Sequence, residues 1–361
     1  MSSLRTSGAR GTSARPPASA PRPEALAPLP PRGRRQGARA RIAVGALLVG
    51  ALSACGEAED GLPRSLHELQ RMAFVPAGSV ALGGLTGSLA TVGVPEPLLF
   101  DLFEVSRADW ERYLDRPEDS DRWTAAGGAW TGEQPTWPAY MSHLEAVELA
   151  RARGMRLPTA REWLYAAVGP AAHSYPWGIG VQRSVSNTLE LGLYRPTAVG
   201  TFESGRSPFG CYDMVGNVWE WVADRAPGYG DDPELPSPAH PSEKGFAGGR
   251  LSALGGGYLS RLQPMYGRSY AGGRSSAVLA QTLDVRHRDP KVGMRCCVEA
   301  EAYLWEHAAE WGGGSEVRAT LAAVGRRWGA HPAAAPFLTE LAARPGAPEA
   351  LSWLAEGARG P

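Results

Sequence analysis

Ser207-Pro208-Phe209-Gly210-Cys211-Tyr212-Asp213-Met214-Val215-Gly216-Asn217-Val218-Trp219-Glu220-Trp221-Val222-Ala223-Asp224 is the stretch on which the reading of this chain turns. Gly210 and Gly216 allow backbone angles that a Cβ resists. Asp213 and Asn217 favour turns, because their side chains bond nearby backbone. Trp219 and Trp221 then alternate around Glu220, as on a strand with two faces. Burying these three together is costly unless the carboxylate has a partner. Backbone N–H groups, a cation or a metal would each serve. Asp213, Glu220 and the carbonyls of Gly216 and Val218 are the hard oxygen ligands that Ca²⁺ prefers, so a structural calcium ion is expected there. The alternative is a tight turn with a hydrogen-bonded Glu220.

Outside this stretch the composition is that of a loop-rich domain. Lys+Arg and Asp+Glu are both 37, so the net charge is zero, which argues against a nucleic-acid partner. Gly (45) and Pro (31) exceed ordinary usage. Twelve Trp against seven Phe suit a fold that packs large aromatics into irregular gaps. Four Cys in 361 residues do not make a disulfide scaffold.

Residues 1–38 are rich in Pro, Ala, Ser and Arg and cannot bury a core. A basic run (Arg32, Arg34, Arg35, Arg39, Arg41) precedes the apolar Ile42–Leu52, too short to span a bilayer comfortably. Basic flank, short apolar core and small residues predict a secretory signal. Its end, Leu52-Ser53-Ala54-Cys55, resembles a bacterial lipobox. Residues 1–55 are thus expected to be a leader and lipoprotein signal peptide, with Cys55 as the lipidated residue. Residues 56–71 are expected to be a tether. The protein is expected in the cell envelope, held by its lipid anchor alone. Gly56 in the next position favours the outer over the inner membrane.

The folded core is expected over 72–299, with strands around Phe74, Val75, Val80 and Leu82. Ser106 and Asp109 form a variant capping box for a helix over about 107–115. A second helix is predicted from Ser142 to Arg153, with Leu144, Val147 and Ala150 on its apolar face. A third is capped by Thr159, with Glu162 three residues on and Trp163, Ala166 and Ala167 on its apolar side. Residues 225–250 read as a Pro/Gly/Asp-rich insertion. Beyond 300, helical patterns run over 301–311, 317–328, 339–343 and 348–354, predicting a helical extension over 300–361.

Five segments in order resemble the sulfatase-modifying-factor family, whose founding activity is the formylglycine-generating enzyme. They are Phe74–Ser79, Arg156–Trp163, Tyr175–Gly178, the Gly210–Trp221 segment and Gly293–Cys296. The resemblance implies an α+β, C-type-lectin-like fold with little regular secondary structure. In the family, two cysteines five residues apart hold copper. Those positions are Ser260 and Met265 here, following Leu254-Gly255-Gly256-Gly257-Tyr258. A hydroxyl and a neutral thioether do not replace two thiolates, the soft ligands that select Cu(I). Copper is therefore not expected. The family's other calcium site would begin at Asn187 and Thr188, but the loop bearing its acidic ligand is shortened to Leu191–Tyr194, without an Asp. The usual bridge from Cys296 would need a Cys where Ala150 stands.

Adjacent Cys296 and Cys297 would face opposite ways on a strand, and either would pair with Cys211 if their Cα atoms lay within about 7 Å. The seven His show no metal-ligand spacing on a helix. The Gly255–Gly257 and Gly312–Gly314 runs lack the Lys-Ser/Thr of a phosphate loop. Two readings follow. One is a non-catalytic binding or scaffold module that uses a groove at Tyr258, Ser260, Arg261 and Arg268 for an extended peptide or envelope protein. The other is a divergent oxidase acting on protein cysteine.

Overall fold

Among the described residues, three small sheets carry the strands of this protein. Its structure, a computed structural model, describes residues 62–83, 89–113, 134–180, 182–224, 250–262, 274–275, 280–286 and 288–360. The leader, Cys55, the 225–249 insertion, Met265 and Arg268 lie outside the described residues.

The first sheet orders β1 (Met72–Val75), β4 (Leu98–Asp101) and β10 (Cys297–Glu299), all antiparallel. Every residue of β1 and β4 is buried, because apolar clusters cover both faces. Met72, Phe74 and Leu99 face one cluster; Ala73, Val75, Leu98 and Phe100 face the other. Cys296 and Cys297 divide the same way, as the pleat requires. Neither pairs with Cys211: all three are buried free thiols.

The second sheet orders β3 (Leu89–Val94), β2 (Gly78–Gly83) and β7 (Arg274–Ser275). The third orders β8 (Ala280–Asp284), β6 (Arg250–Leu254), β5 (Trp219–Trp221) and β9 (Val292–Gly293).

Helix α1 (Arg64–Gln70) corrects the tether expected over 56–71. Leu66 and Leu69 are fully buried. The buried guanidinium of Arg153 reaches Glu68 of this helix and Asp101 of β4, the latter at 2.6 and 2.8 Å. Helix α2 is shorter than predicted (Arg107–Glu111), and α3 (His143–Ala152) and α4 (Ala160–Val168) follow. All three start with capping boxes: Ser106 with Asp109, Ser142 with Glu145 and Thr159 with Glu162. The apolar face of α3 is rotated from the predicted one. His143, Ala146, Leu149 and Ala150 are buried, while Leu144 is exposed. His143 takes the inner position because its ring meets Trp221 edge-on and its Nε2–H donates to the Val222 carbonyl at 3.1 Å.

Burial holds the His143 pKa down, to about 4. The folded protein therefore keeps this imidazole neutral, whereas the unfolded chain protonates it below its ordinary value near 6.5. Its contribution is present above pH 6.5 and is lost as pH falls from 6.5 to 4. A shift of this size corresponds to about 3 kcal/mol. We expect His143→Phe to flatten the stability profile between pH 6.5 and 4, measured by denaturant titration. An unchanged slope would refute this assignment.

The C-terminal segment forms α5 (Ala300–His307), α6 (Ser315–Trp328), α7 (Ala334–Ala342) and α8 (Glu349–Arg359). The last two are longer than predicted. Pro336 sits in the first turn of α7, where a missing N–H breaks no helical bond. These helices share the first cluster with β1. Phe74 contacts the rings of Trp328 and Phe337. Trp328 Nε1–H donates to the Met72 carbonyl at 2.9 Å, and the Tyr303 hydroxyl donates to that of Ser65 at 2.8 Å.

Candidate functional site

The segment 210–221 wraps a knot of buried charge. Asp213 and Asn217 both adopt left-handed backbone (φ 55° and 57°), and Gly216 lies at φ 94°. A Cβ on Gly216 would stand 2.5 Å from the Asn187 carbonyl oxygen, so only glycine fits there. The Asn217 N–H donates to that same carbonyl at 2.8 Å.

The partner of Glu220 is Arg295. Its Nη2–H donates to Glu220 Oε1 at 2.5 Å and its Nε–H to Oε2 at 2.6 Å, with Trp163 Nε1–H also on Oε2 at 2.6 Å. Both charged side chains are essentially inaccessible (0 and 1 %). The remaining guanidinium donors go to the carbonyls of Asp101, Leu102 and Tyr212. Desolvation opposes the Arg295 charge, but Glu220 beside it raises its pKa further. Two more buried carboxylates adjoin the pair. Glu104 accepts from Asn217 Nδ2 at 2.6 Å and the Val218 N–H at 3.1 Å. Asp213 Oδ2 accepts the Gly200 N–H at 2.8 Å. Desolvation raises the pKa of both, that of Asp213 to about 6.

This geometry gives Glu220, one of the calcium ligands expected with Asp213, Gly216 and Val218, a guanidinium partner instead. Asp213 Oδ1, Asn187 Oδ1 and Thr188 Oγ1 are buried without a hydrogen-bond partner and would suit a cation. Both Glu220 oxygens, however, are engaged by a guanidinium whose positive charge opposes a second cation. The four-member set therefore does not fit the ion. Among the described residues no group of three or more His, Cys, Asp or Glu is arranged to hold a metal.

One face of the third sheet carries a cavity of about 230 Å³. Trp219, Leu259, Leu283 and Val292 form its apolar wall, and Ser260, Gln281, Asp289 and Lys291 its polar part. Pleat and register bring them together. Gln281 and Leu283 are two apart on β8, and Trp219 pairs with Val292 across β5 and β9. A turn holds Ser260: its N–H donates to the Gly257 carbonyl at 2.7 Å, and its Oγ accepts the Gly257 N–H at 2.9 Å. The Leu189 N–H donates to the Ser260 carbonyl at 3.0 Å. Lys291 Nζ lies 3.1 Å from Asp289 Oδ2.

Of the predicted groove residues that are described, Ser260 lines this cavity and Tyr258 and Arg261 do not. Tyr258 is buried and Arg261 is exposed. Sequence reading missed Glu104 and Arg295 as the knot's other charges, although Arg295 stood in a recognised motif. It also missed Gln281, Asp289 and Lys291. One signal was available for the last: only two lysines, Lys244 and Lys291, occur among the 37 basic residues.

Mixed sheets and helices around a buried Glu–Arg knot define an α+β domain. Residues 58–300 match the sulfatase-modifying factor enzyme 1-like domain, and the chain belongs to that family. It is 41% identical over 93 residues to a formylglycine-generating enzyme of Mycobacterium tuberculosis, covering 23% of this chain and 31% of that protein. It is 38% identical over 84 residues to the inactive C-alpha-formylglycine-generating enzyme 2 of Bos taurus, covering 20% of this chain and 28% of that protein. The matches thus span under a third of these relatives. The solved structure of PvdO from Pseudomonas aeruginosa superposes with a TM-score of 0.45 at 21% identity, over 63% of this chain and 94% of that one.

Proposed function

We propose that this protein is a non-catalytic binding module of the cell envelope, anchored through a lipid on Cys55. In this reading the pocket beside Ser260 holds part of an extended peptide or envelope protein without turning it over. The observation that carries the proposal is the chemistry at Ser260. Where the family has a copper thiolate, this chain has a hydroxyl that accepts a backbone N–H within a turn. The second copper position is Met265, again without a thiolate. Cys211, Cys296 and Cys297 offer no replacement, since all three are buried and burial raises their pKa values. A relative described as inactive supports the same reading.

The test is an aldehyde-trapping assay on the intact chain with copper and a Cys-x-Pro-x-Arg peptide. We expect no aldehyde above the no-enzyme control. Aldehyde formation abolished by Met265→Ala would establish the oxidase reading instead. For the anchor, Cys55→Ala should move the protein from the membrane to the soluble fraction, because acyl chains contribute about 0.8 kcal/mol per buried CH₂. Retention of that variant on membranes would overturn the lipoprotein assignment.

A further inference from the structure

We propose that the two adjoining loops at 189–195 and 259–262 form a docking surface for an acidic, extended segment of a partner protein, one that mixes carboxylates with apolar side chains. This rests on the binding-module reading above and deepens it by naming the partner's charge.

The charge is written along the chain. Over the whole sequence cations and carboxylates balance at 37 each. Between Glu162 and Glu203, however, Glu190 is the one carboxylate, and between Glu243 and Asp284 there is none. The same two stretches hold one lysine and six arginines, Arg195 and Arg261 among them. A neutral chain thus gathers positive charge on the segments that build these loops, and a basic patch of this kind steers and selects acidic partners.

Hydrogen bonds lock the two loops together. The Leu189 N–H donates to the Ser260 carbonyl at 3.0 Å, and the Leu262 N–H lies 3.1 Å from both oxygens of the Glu190 carboxylate. Asn187 Nδ2–H donates to the Arg195 carbonyl at 2.9 Å and closes the first loop. Leu193 (41 %), Tyr194 (60 %) and Leu259 (47 %) are left exposed, as are Arg195 and Arg261. Tyr194 stands outside at a backbone cost, since its φ of 53° is a left-handed conformation uncommon for a bulky residue. Neither guanidinium has a hydrogen bond or ion pair among the described residues, whereas Arg153, Arg156 and Arg295 are all paired with carboxylates.

Chemistry selects the occupant. A guanidinium is a planar fork that fits a carboxylate through two parallel N–H···O bonds, so two free forks favour Asp or Glu. Tyrosine and arginine are enriched among the residues that carry the energy of protein interfaces. Apolar and cationic side chains alternate closely here, with Tyr194 next to Arg195 and Leu259 two positions before Arg261. That mixture matches a polypeptide, which presents both kinds of group, better than a membrane, which takes apolar side chains together on one face.

Fluorescence anisotropy on the intact chain tests this with short labelled peptides that repeat Glu-Glu-Leu, Gln-Gln-Leu or Lys-Lys-Leu, beside sedimentation with phosphatidylglycerol vesicles. We expect the Glu peptide to bind at least about tenfold more tightly than the Gln peptide, the Lys peptide not to bind, and added salt to weaken the complex by screening. Arg195→Gln combined with Arg261→Gln should weaken Glu-peptide binding about fivefold. Arg326→Gln combined with Arg359→Gln, at exposed positions of α6 and α8, should leave it unchanged. A circular-dichroism melt verifies the fold of both pairs, and the peptide series stands without any variant. Equal binding of the Glu and Gln peptides would overturn the acidic partner while leaving a peptide-binding module intact. Equal losses in the two arginine pairs would remove the site from these loops. Vesicle binding lost in Arg195→Gln/Arg261→Gln, without peptide binding, would assign the surface to a membrane and overturn the proposal. Binding to no peptide would overturn it too, with the aldehyde assay judging the non-catalytic reading separately.

Discussion

Glu220→Gln is expected to destabilise this protein by about 3–5 kcal/mol, the cost typical of removing one partner from a buried ion pair. For a domain of this size the melting temperature should fall by roughly 10 °C. The reason is the orphaned guanidinium. Arg295 is fully buried, and without the Glu220 carboxylate its remaining hydrogen bonds go to the carbonyls of Asp101, Leu102 and Tyr212, with Glu104 and Asp213 near it but not bonded to it. Arg295→Met should cost a similar amount, now by stranding the carboxylate. The double variant should recover much of the loss, because two neutral side chains leave no buried charge behind. A coupling well above 1 kcal/mol in this cycle is the signature of the pair. Millimolar Ca²⁺ or chelator should leave this coupling unchanged, because the guanidinium already engages both Glu220 oxygens. Additive losses with a calcium-dependent melt would show instead that Glu220 serves a metal.

Deleting residues 300–361 should have the largest effect of all: the remaining chain should not fold stably. The deleted segment supplies Tyr303, Leu304, Trp311, Leu321, Trp328, Leu338 and Leu341, all buried within the same cluster as residues of β1 and α1. Burial of one such side chain contributes about 1.5–3 kcal/mol, so losing seven removes burial comparable to the roughly 5–15 kcal/mol net stability of a typical protein. Hydrogen bonds go as well, among them those from Tyr303 to the Ser65 carbonyl, from Trp311 to Ser65 Oγ and from Trp328 to the Met72 carbonyl. The truncated chain is expected to be insoluble or to lack a cooperative melt. A soluble product melting within a few degrees of the intact chain would show that the helices are dispensable. A gentler probe is Gly357→Val in α8. A Cβ there would meet the Ala322 carbonyl oxygen of α6 at 2.4 Å, so the two helices would have to separate.

What the sequence determined by itself was local. Ser106, Ser142 and Thr159 mark helix starts because their caps act within four residues. Trp219-Glu220-Trp221 reads as a strand from its alternation, and Glu220 needs a partner because an isolated buried carboxylate is untenable. The loss of both family copper thiolates is a matter of residue identity, legible at Ser260 and Met265.

The tertiary structure decided which partner wins and which residues share a surface. Glu220 and Arg295 are 75 residues apart, so no short-range pattern distinguishes a guanidinium from a metal ion as the neutralising group. His143 displaces Leu144 from the inner face of α3 because Trp221 and the Val222 carbonyl await it across the fold. The helix at Arg64–Gln70 reads as a tether in a short polar segment, and its buried face exists only because Arg153 and the C-terminal helices cover it. The pocket likewise depends on registry between strands distant in sequence, which sets Lys291 and Asp289 beside Ser260 and Trp219.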